Sequence, residues 1–109
     1  MNQRFLFASL MAASLFSTSA WAQDANTLRI KALAATCAAC HGTGGRAVEG
    51  AAVPGLAGLP AAYMVEQMKA FKNGSRPATV MHQLAKGYSD AQIEQLAVYF
   101  AAQSANAAR

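Results

Sequence analysis

Cysteine is nearly missing from this chain. Of 109 residues, only Cys37 and Cys40 carry a thiol. No second pair remains for a disulfide framework. Histidine is as scarce, with His41 and His82 alone. A structural zinc site wants four ligands, and the neighbours Cys40 and His41 cannot easily share one tetrahedral ion. Strand-like alternation of apolar and polar residues is missing, and there is no internal repeat. Glycines are present at Gly42, Gly44 and Gly45, but no strand precedes them and their spacing is wrong for a nucleotide fingerprint. The apolar stretch Phe5–Phe16 is shorter than the about 20 residues that a membrane span needs.

What is there centres on Cys37-Ala-Ala-Cys40-His41. Two cysteines separated by two residues, with histidine directly after the second, read as a c-type haem attachment site. Each thiol can add to one vinyl group and form a thioether. On a helix His41 comes one turn after Cys37, so its imidazole can reach the iron from the side that holds the porphyrin edge. A thioredoxin-like dithiol would want a preceding strand in a βαβ context. Here Leu28–Thr36 is helical in character. A Cys37–Cys40 disulfide is chemically open in an oxidising compartment, but it leaves His41 idle.

Met1–Ala22 has the form of a secretory signal peptide. Arg4 supplies the positive start, Phe5–Phe16 the apolar run, and Ala20-Trp21-Ala22 a small-x-small cleavage site. Cleavage after Ala22 would leave residues 23–109 as one domain, with eight basic and five acidic residues. The resulting charge of +3, with no basic run, gives no argument for nucleic acid. An apolar core at this size is only marginally stable, and a haem at its centre would offset that weakness.

The pattern predicts an all-α fold. The first helix runs from Asn26 to about Cys40, capped by Asn26 or Asp24, with Ile30, Leu33, Ala34 and Cys37 on one face. Gly42–Leu59 is a loop. The second helix spans Pro60–Asn73, with Met64, Val65, Met68 and Phe71 inward and Gly74 as its left-handed stop. Residues 75–88 read as mostly irregular. The last helix covers Ser89–Gln103, opened by a Ser89–Gln92 capping box, with Ile93, Leu96, Ala97 and Phe100 as its stripe. That stripe should pack across the first helix. The tail from Ser104 onward should fray.

Four further residues are candidates around the motif. Pro54 is the chosen backbone carbonyl to accept the second ring N–H of His41, since metal-bound histidines usually donate there; it could equally be a turn former. Met81 follows a proline between two helices and can approach the iron opposite His41, giving His/Met coordination suited to electron transfer. It could also fill a gap in the core. His82 is the competing ligand. Arg76 could pair with a haem propionate, or be a solvated surface arginine. Met64 and Met68, at helical spacing, read as packing rather than as ligands.

This order of helix, Cys37-x-x-Cys40-His41, proline loop, helix, methionine loop and helix resembles the class I c-type cytochromes over essentially all of residues 23–109. The resemblance implies the small cytochrome c fold, with N- and C-terminal helices crossed around one covalent haem c. It implies thioethers at Cys37 and Cys40, axial ligands at His41 and Met81, and Pro54 as the carbonyl that orients His41. It also implies haem attachment outside the cytoplasm, in keeping with a leader and a periplasmic location. Thr79–Asp90 and Phe71–Arg76 are similar to the cytochrome subunit of flavocytochrome c sulfide dehydrogenase. Some members of that family carry two haems, whereas this chain has one motif. The implied role is single-electron transfer from a sulfide-oxidising flavoprotein subunit to a downstream acceptor. The alternatives are a free soluble electron carrier between respiratory enzymes, a haem enzyme or gas sensor with an open distal site, and a small helical binding domain without a cofactor.

Overall fold

The computed structural model describes residues 17–105, and side chains from residue 22 onward. Most of the expected leader and the last four residues of the tail lie outside the described residues. Five α-helices and one 3-10 turn make up the described regular structure: α1 (Ser17–Ala35), α2 (Ala38–His41), the turn Thr43–Gly45, α3 (Ala61–Asn73), α4 (Met81–Lys86) and α5 (Asp90–Ala101). No strand occurs among the described residues. The fold is therefore all-α. Among the described residues no helix is long and apolar enough to cross a membrane.

The first helix differs from its sequence expectation at both ends. The described chain is already helical at Ser17, so Asp24 and Asn26 lie inside the helix rather than capping it. Alanines at 20, 22 and 25 are strong helix formers, and nothing local stops the helix before them. The Asn26 side chain instead accepts a hydrogen bond from the Arg29 guanidinium at 3.1 Å. At the other end α1 stops at Ala35 instead of running to Cys40. Thr36 explains the break. Its hydroxyl donates to the Leu33 carbonyl at 2.7 Å, and its backbone N–H goes to the same oxygen at 3.2 Å. A side chain bonded to its own preceding turn competes with the helical ladder. The chain makes one tight turn and restarts as α2.

α5 forms as its sequence dictates. The Gln92 N–H donates to Ser89 Oγ at 3.2 Å, and the Ser89 N–H donates to Gln92 Oε1 at 2.9 Å. This reciprocal cap satisfies two donors that a helix start leaves orphaned. Its stripe Ile93, Leu96, Ala97 and Phe100 is buried. α5 packs on both α1 and α3, and the core joins Ala34, Met64, Leu96, Ala97 and Phe100. Pro60 precedes α3, and Gly74, at φ 84°, ends it in the left-handed conformation.

Residues 75–88 are more ordered than the sequence pattern indicates. They contain the six-residue α4, which begins at Met81. The Val80 carbonyl accepts from Gln83 and Leu84, starting the turn. A helix this short is not stable by itself. It is held because Ala85 is fully buried beneath it and α4 packs against α3.

Candidate functional site

α2 is a single helical turn, and it carries three of the candidate residues. The His41 N–H donates to the Cys37 carbonyl at 2.9 Å, so the imidazole stands one turn after the first thiol. Cys37 is half-buried against the core, whereas Cys40 is exposed. Both thiols are free. Burial pushes the Cys37 thiol above its usual range, and the neighbouring Cys40 adds to that shift.

His41 is the buried polar side chain of this region. Its Nδ1 lies 2.7 Å from the Pro54 carbonyl oxygen. A carbonyl can only accept, so Nδ1 carries the proton, which leaves Nε2 as the nitrogen that could face a ligand. The loop between them is shaped by glycine. At Gly42, with φ 83° and ψ 159°, the backbone occupies a region open essentially to glycine alone. The Gly45 carbonyl accepts from Leu56 at 2.7 Å and Ala57 at 3.1 Å, closing the loop so that Pro54 returns over His41. A Cβ at Gly45 would meet the Phe100 ring at 2.8 Å and the Ala57 nitrogen at 2.9 Å. The Gly58 N–H donates to the Phe100 carbonyl at 2.9 Å, tying the loop to α5.

The remaining candidates lie on other elements. Met81 is the first residue of α4 and is half-buried. His82 beside it has Nδ1 buried without a hydrogen-bond partner. Arg76 is exposed; its guanidinium lies over the Phe71 ring, 4.5 Å from the centroid, and donates to Gln67. Its charge is thus directed along α3. The structure brings Cys37, Cys40, His41 and Pro54 into one local unit, while Met81 and Arg76 belong to the α3–α4 side.

Sequence reasoning missed two residues. The hydroxyls of Thr36 and Tyr88 lie 3.3 Å apart across 52 positions of sequence. The Tyr88 carbonyl accepts from Lys72 at 2.8 Å. No local pattern announces contacts of this range.

The residues present fit a c-type haem by the chemistry of their donors. Two unpaired thiols are offered at the spacing of one helical turn, beside an imidazole whose Nδ1 proton is already taken by a carbonyl. A metal-ligating histidine usually has just this second partner. Among the described residues, no group of three or more His, Cys, Asp or Glu side chains could hold a metal ion.

Comparisons with known proteins agree with this chemistry. The family model for cytochrome c matches residues 28–104. The thiosulfate dehydrogenase electron acceptor of Thiomonas intermedia is 37% identical over 100 residues, covering 92% of this chain and 46% of that protein. The cytochrome subunit of sulfide dehydrogenase of Chlorobaculum tepidum is 41% identical over 68 residues, 62% of this chain and 60% of its own length. Cytochrome c-554(548) of Halomonas halodenitrificans is 38% identical over 71 residues, 62% of this chain and 84% of that one. The chain thus spans about half the length of the first two relatives, 46% and 60%.

Proposed function

Because the chain belongs to the cytochrome c family, with haem c held covalently through Cys37 and Cys40, we propose that it carries single electrons between redox proteins in the periplasm. When bound, the haem supplies an iron that alternates between the ferric and ferrous states. The chain's own residues do the rest. Cys37 and Cys40 anchor the group. His41 would hold the iron through Nε2, and the Pro54 carbonyl accepts the Nδ1 proton so that the ring keeps one tautomer and one orientation. Met81 would hold the iron through its thioether, a ligand that raises the reduction potential relative to a second histidine. The observation that carries this reading is the 2.7 Å hydrogen bond from buried His41 to Pro54. With both ligands supplied by the chain, the bound group would move electrons rather than bind substrate.

The test is ligand binding to the reduced holoprotein. The unmodified protein should not take up carbon monoxide, and Met81→Ala should do so readily. Uptake by the unmodified protein would mean an open distal site, as in a haem enzyme or gas sensor, and the carrier reading would fail.

The electron donor we assign is an enzyme that oxidises an inorganic sulfur compound. A sulfide-oxidising flavoprotein is supported by the likeness to the Chlorobaculum sulfide dehydrogenase subunit. A thiosulfate dehydrogenase is the second reading, favoured by the longer match, over 92% of this chain, to an electron acceptor of that enzyme. Stopped-flow reduction of the holoprotein separates the two. The flavoprotein with sulfide should reduce it faster than a thiosulfate dehydrogenase with thiosulfate; the reverse order would transfer the assignment to the second.

A further inference from the structure

Tyr88 lies two residues beyond the end of α4, after Gly87, and is held from three sides. Its backbone N–H donates to the carbonyl of fully buried Ala85 at 3.3 Å. Its carbonyl accepts from Lys72 Nζ at 2.8 Å, and the same ammonium reaches Asp90 Oδ1 at 2.9 Å. Its hydroxyl lies 3.3 Å from Thr36 Oγ1. The direction of that last bond follows from the donors available. The single proton of Thr36 is spent on the Leu33 carbonyl at 2.7 Å. Tyr88 must therefore donate, and Thr36 must accept.

The consequence is a connection between two segments that no short-range contact joins. Thr36 immediately precedes Cys37, in the turn where α1 gives way to α2. Tyr88 closes the segment that Met81 opens. The six-residue α4 is too short to hold itself, so its position depends on its packing against α3 and on what grips its ends. We propose that Tyr88 is a positioning residue: gripped by Lys72 at its carbonyl and donating to Thr36 from its hydroxyl, it fixes the Met81 segment against the turn that carries Cys37. It acts through Met81 and touches no reacting atom, and the inference rests on Met81 being the distal ligand.

The test is the affinity of ferric holoprotein for imidazole, which competes only for a distal position that has opened. Tyr88→Phe keeps the ring and removes the one donor. Loss of a single neutral hydrogen bond should raise imidazole affinity about five- to tenfold. Thr36→Val should do the same, and Thr36→Ser, which restores the acceptor, should bind imidazole as the unmodified protein does. Lys72→Met should shift it in the same direction as Tyr88→Phe. A bond that served stability alone would lower the denaturation midpoint and leave imidazole affinity unmoved. Met81→Ala is the control. If it binds imidazole far more tightly while Tyr88→Phe and Thr36→Val match the unmodified protein, the positioning role is overturned and Met81 stands. If Met81→Ala leaves affinity unchanged, the Met81 assignment falls and the positioning role with it. Should Tyr88→Phe yield no holoprotein, the Thr36→Val and Thr36→Ser pair decides the question alone.

Discussion

The His41 side and the Met81 side of this protein are held by contacts of different range. His41 ends a four-residue helix, is buried, and bonds to Pro54 only 13 positions away through a glycine-shaped loop. Met81 begins a six-residue helix that is half-exposed and gripped from Lys72 and, through Tyr88, from Thr36, the last of these bonds spanning 52 positions. The first is a local motif that brings its own second partner. The second is placed by the packing of α3, α4 and α5 and has no such partner nearby in sequence. An electron carrier with Met81 as the proposed ligand would gain from this division, because the covalent side sets where the cofactor sits and the other side would set how firmly that ligand is held.

Single substitutions on the two sides should differ most at the proposed ligands. His41→Ala should lose the low-spin haem spectrum and reversible reduction altogether, whereas Met81→Ala should keep its haem and merely open it to carbon monoxide. Equal damage from both, read by optical spectra of the purified proteins, would erase the contrast. The glycines give the next largest effect. A Cβ at Gly42 would meet the Arg46 carbonyl oxygen at 2.0 Å, so Gly42→Ala should cost about 3–4 kcal/mol through strain and overlap together. Gly74, on the α3–α4 side, shares a positive φ of 84° but has nothing within 4 Å of that Cβ. Gly74→Ala should cost roughly 1–2 kcal/mol, the left-handed penalty alone. Urea unfolding of the two variants measures the gap, and a larger loss at Gly74 would contradict the loop geometry.

Ser89→Ala removes the side-chain half of the α5 cap and should cost about 1 kcal/mol in the same assay. The smallest effect concerns acid. The Lys72 hydrogen bond and charge hold the Asp90 carboxyl below its usual range, with a lesser contribution from Lys69. A depressed folded value means the pair's stabilisation is whole above the unfolded value near about 4 and fades as pH falls through the folded one. Asp90→Asn should therefore flatten the acid limb of the stability profile slightly and leave its shape above pH about 5 unchanged. An acid limb identical to that of the unmodified protein would show that the exposed pair contributes nothing.

Legibility followed the range of the interactions. α5 was readable because its cap, Ser89 with Gln92, and its stripe from Ile93 to Phe100 are both local patterns. α3 was readable for the same reason, from its methionine and phenylalanine spacing and the glycine that ends it. The Cys37–His41 spacing identified the cofactor, which the cytochrome c family match independently supports. α4 escaped notice because six residues hold no periodicity to detect. The break at Thr36 escaped notice because the side chain of a threonine competes with the helix only when the turn beneath it is already formed. Tyr88 looked like the end of a loop, since its three partners come together only in the folded chain.

Residue types and spacings by themselves determined the helical class, the two principal helix stops and starts, and the thiol–imidazole chemistry, because each depends on contacts within a turn or two of backbone. Tertiary structure alone decided that Met81 starts a helix rather than sitting in a loop, and that Tyr88 links Lys72 to Thr36. These depend on free energy gained when distant apolar faces are buried together, and that gain exists only once α1, α3 and α5 have met.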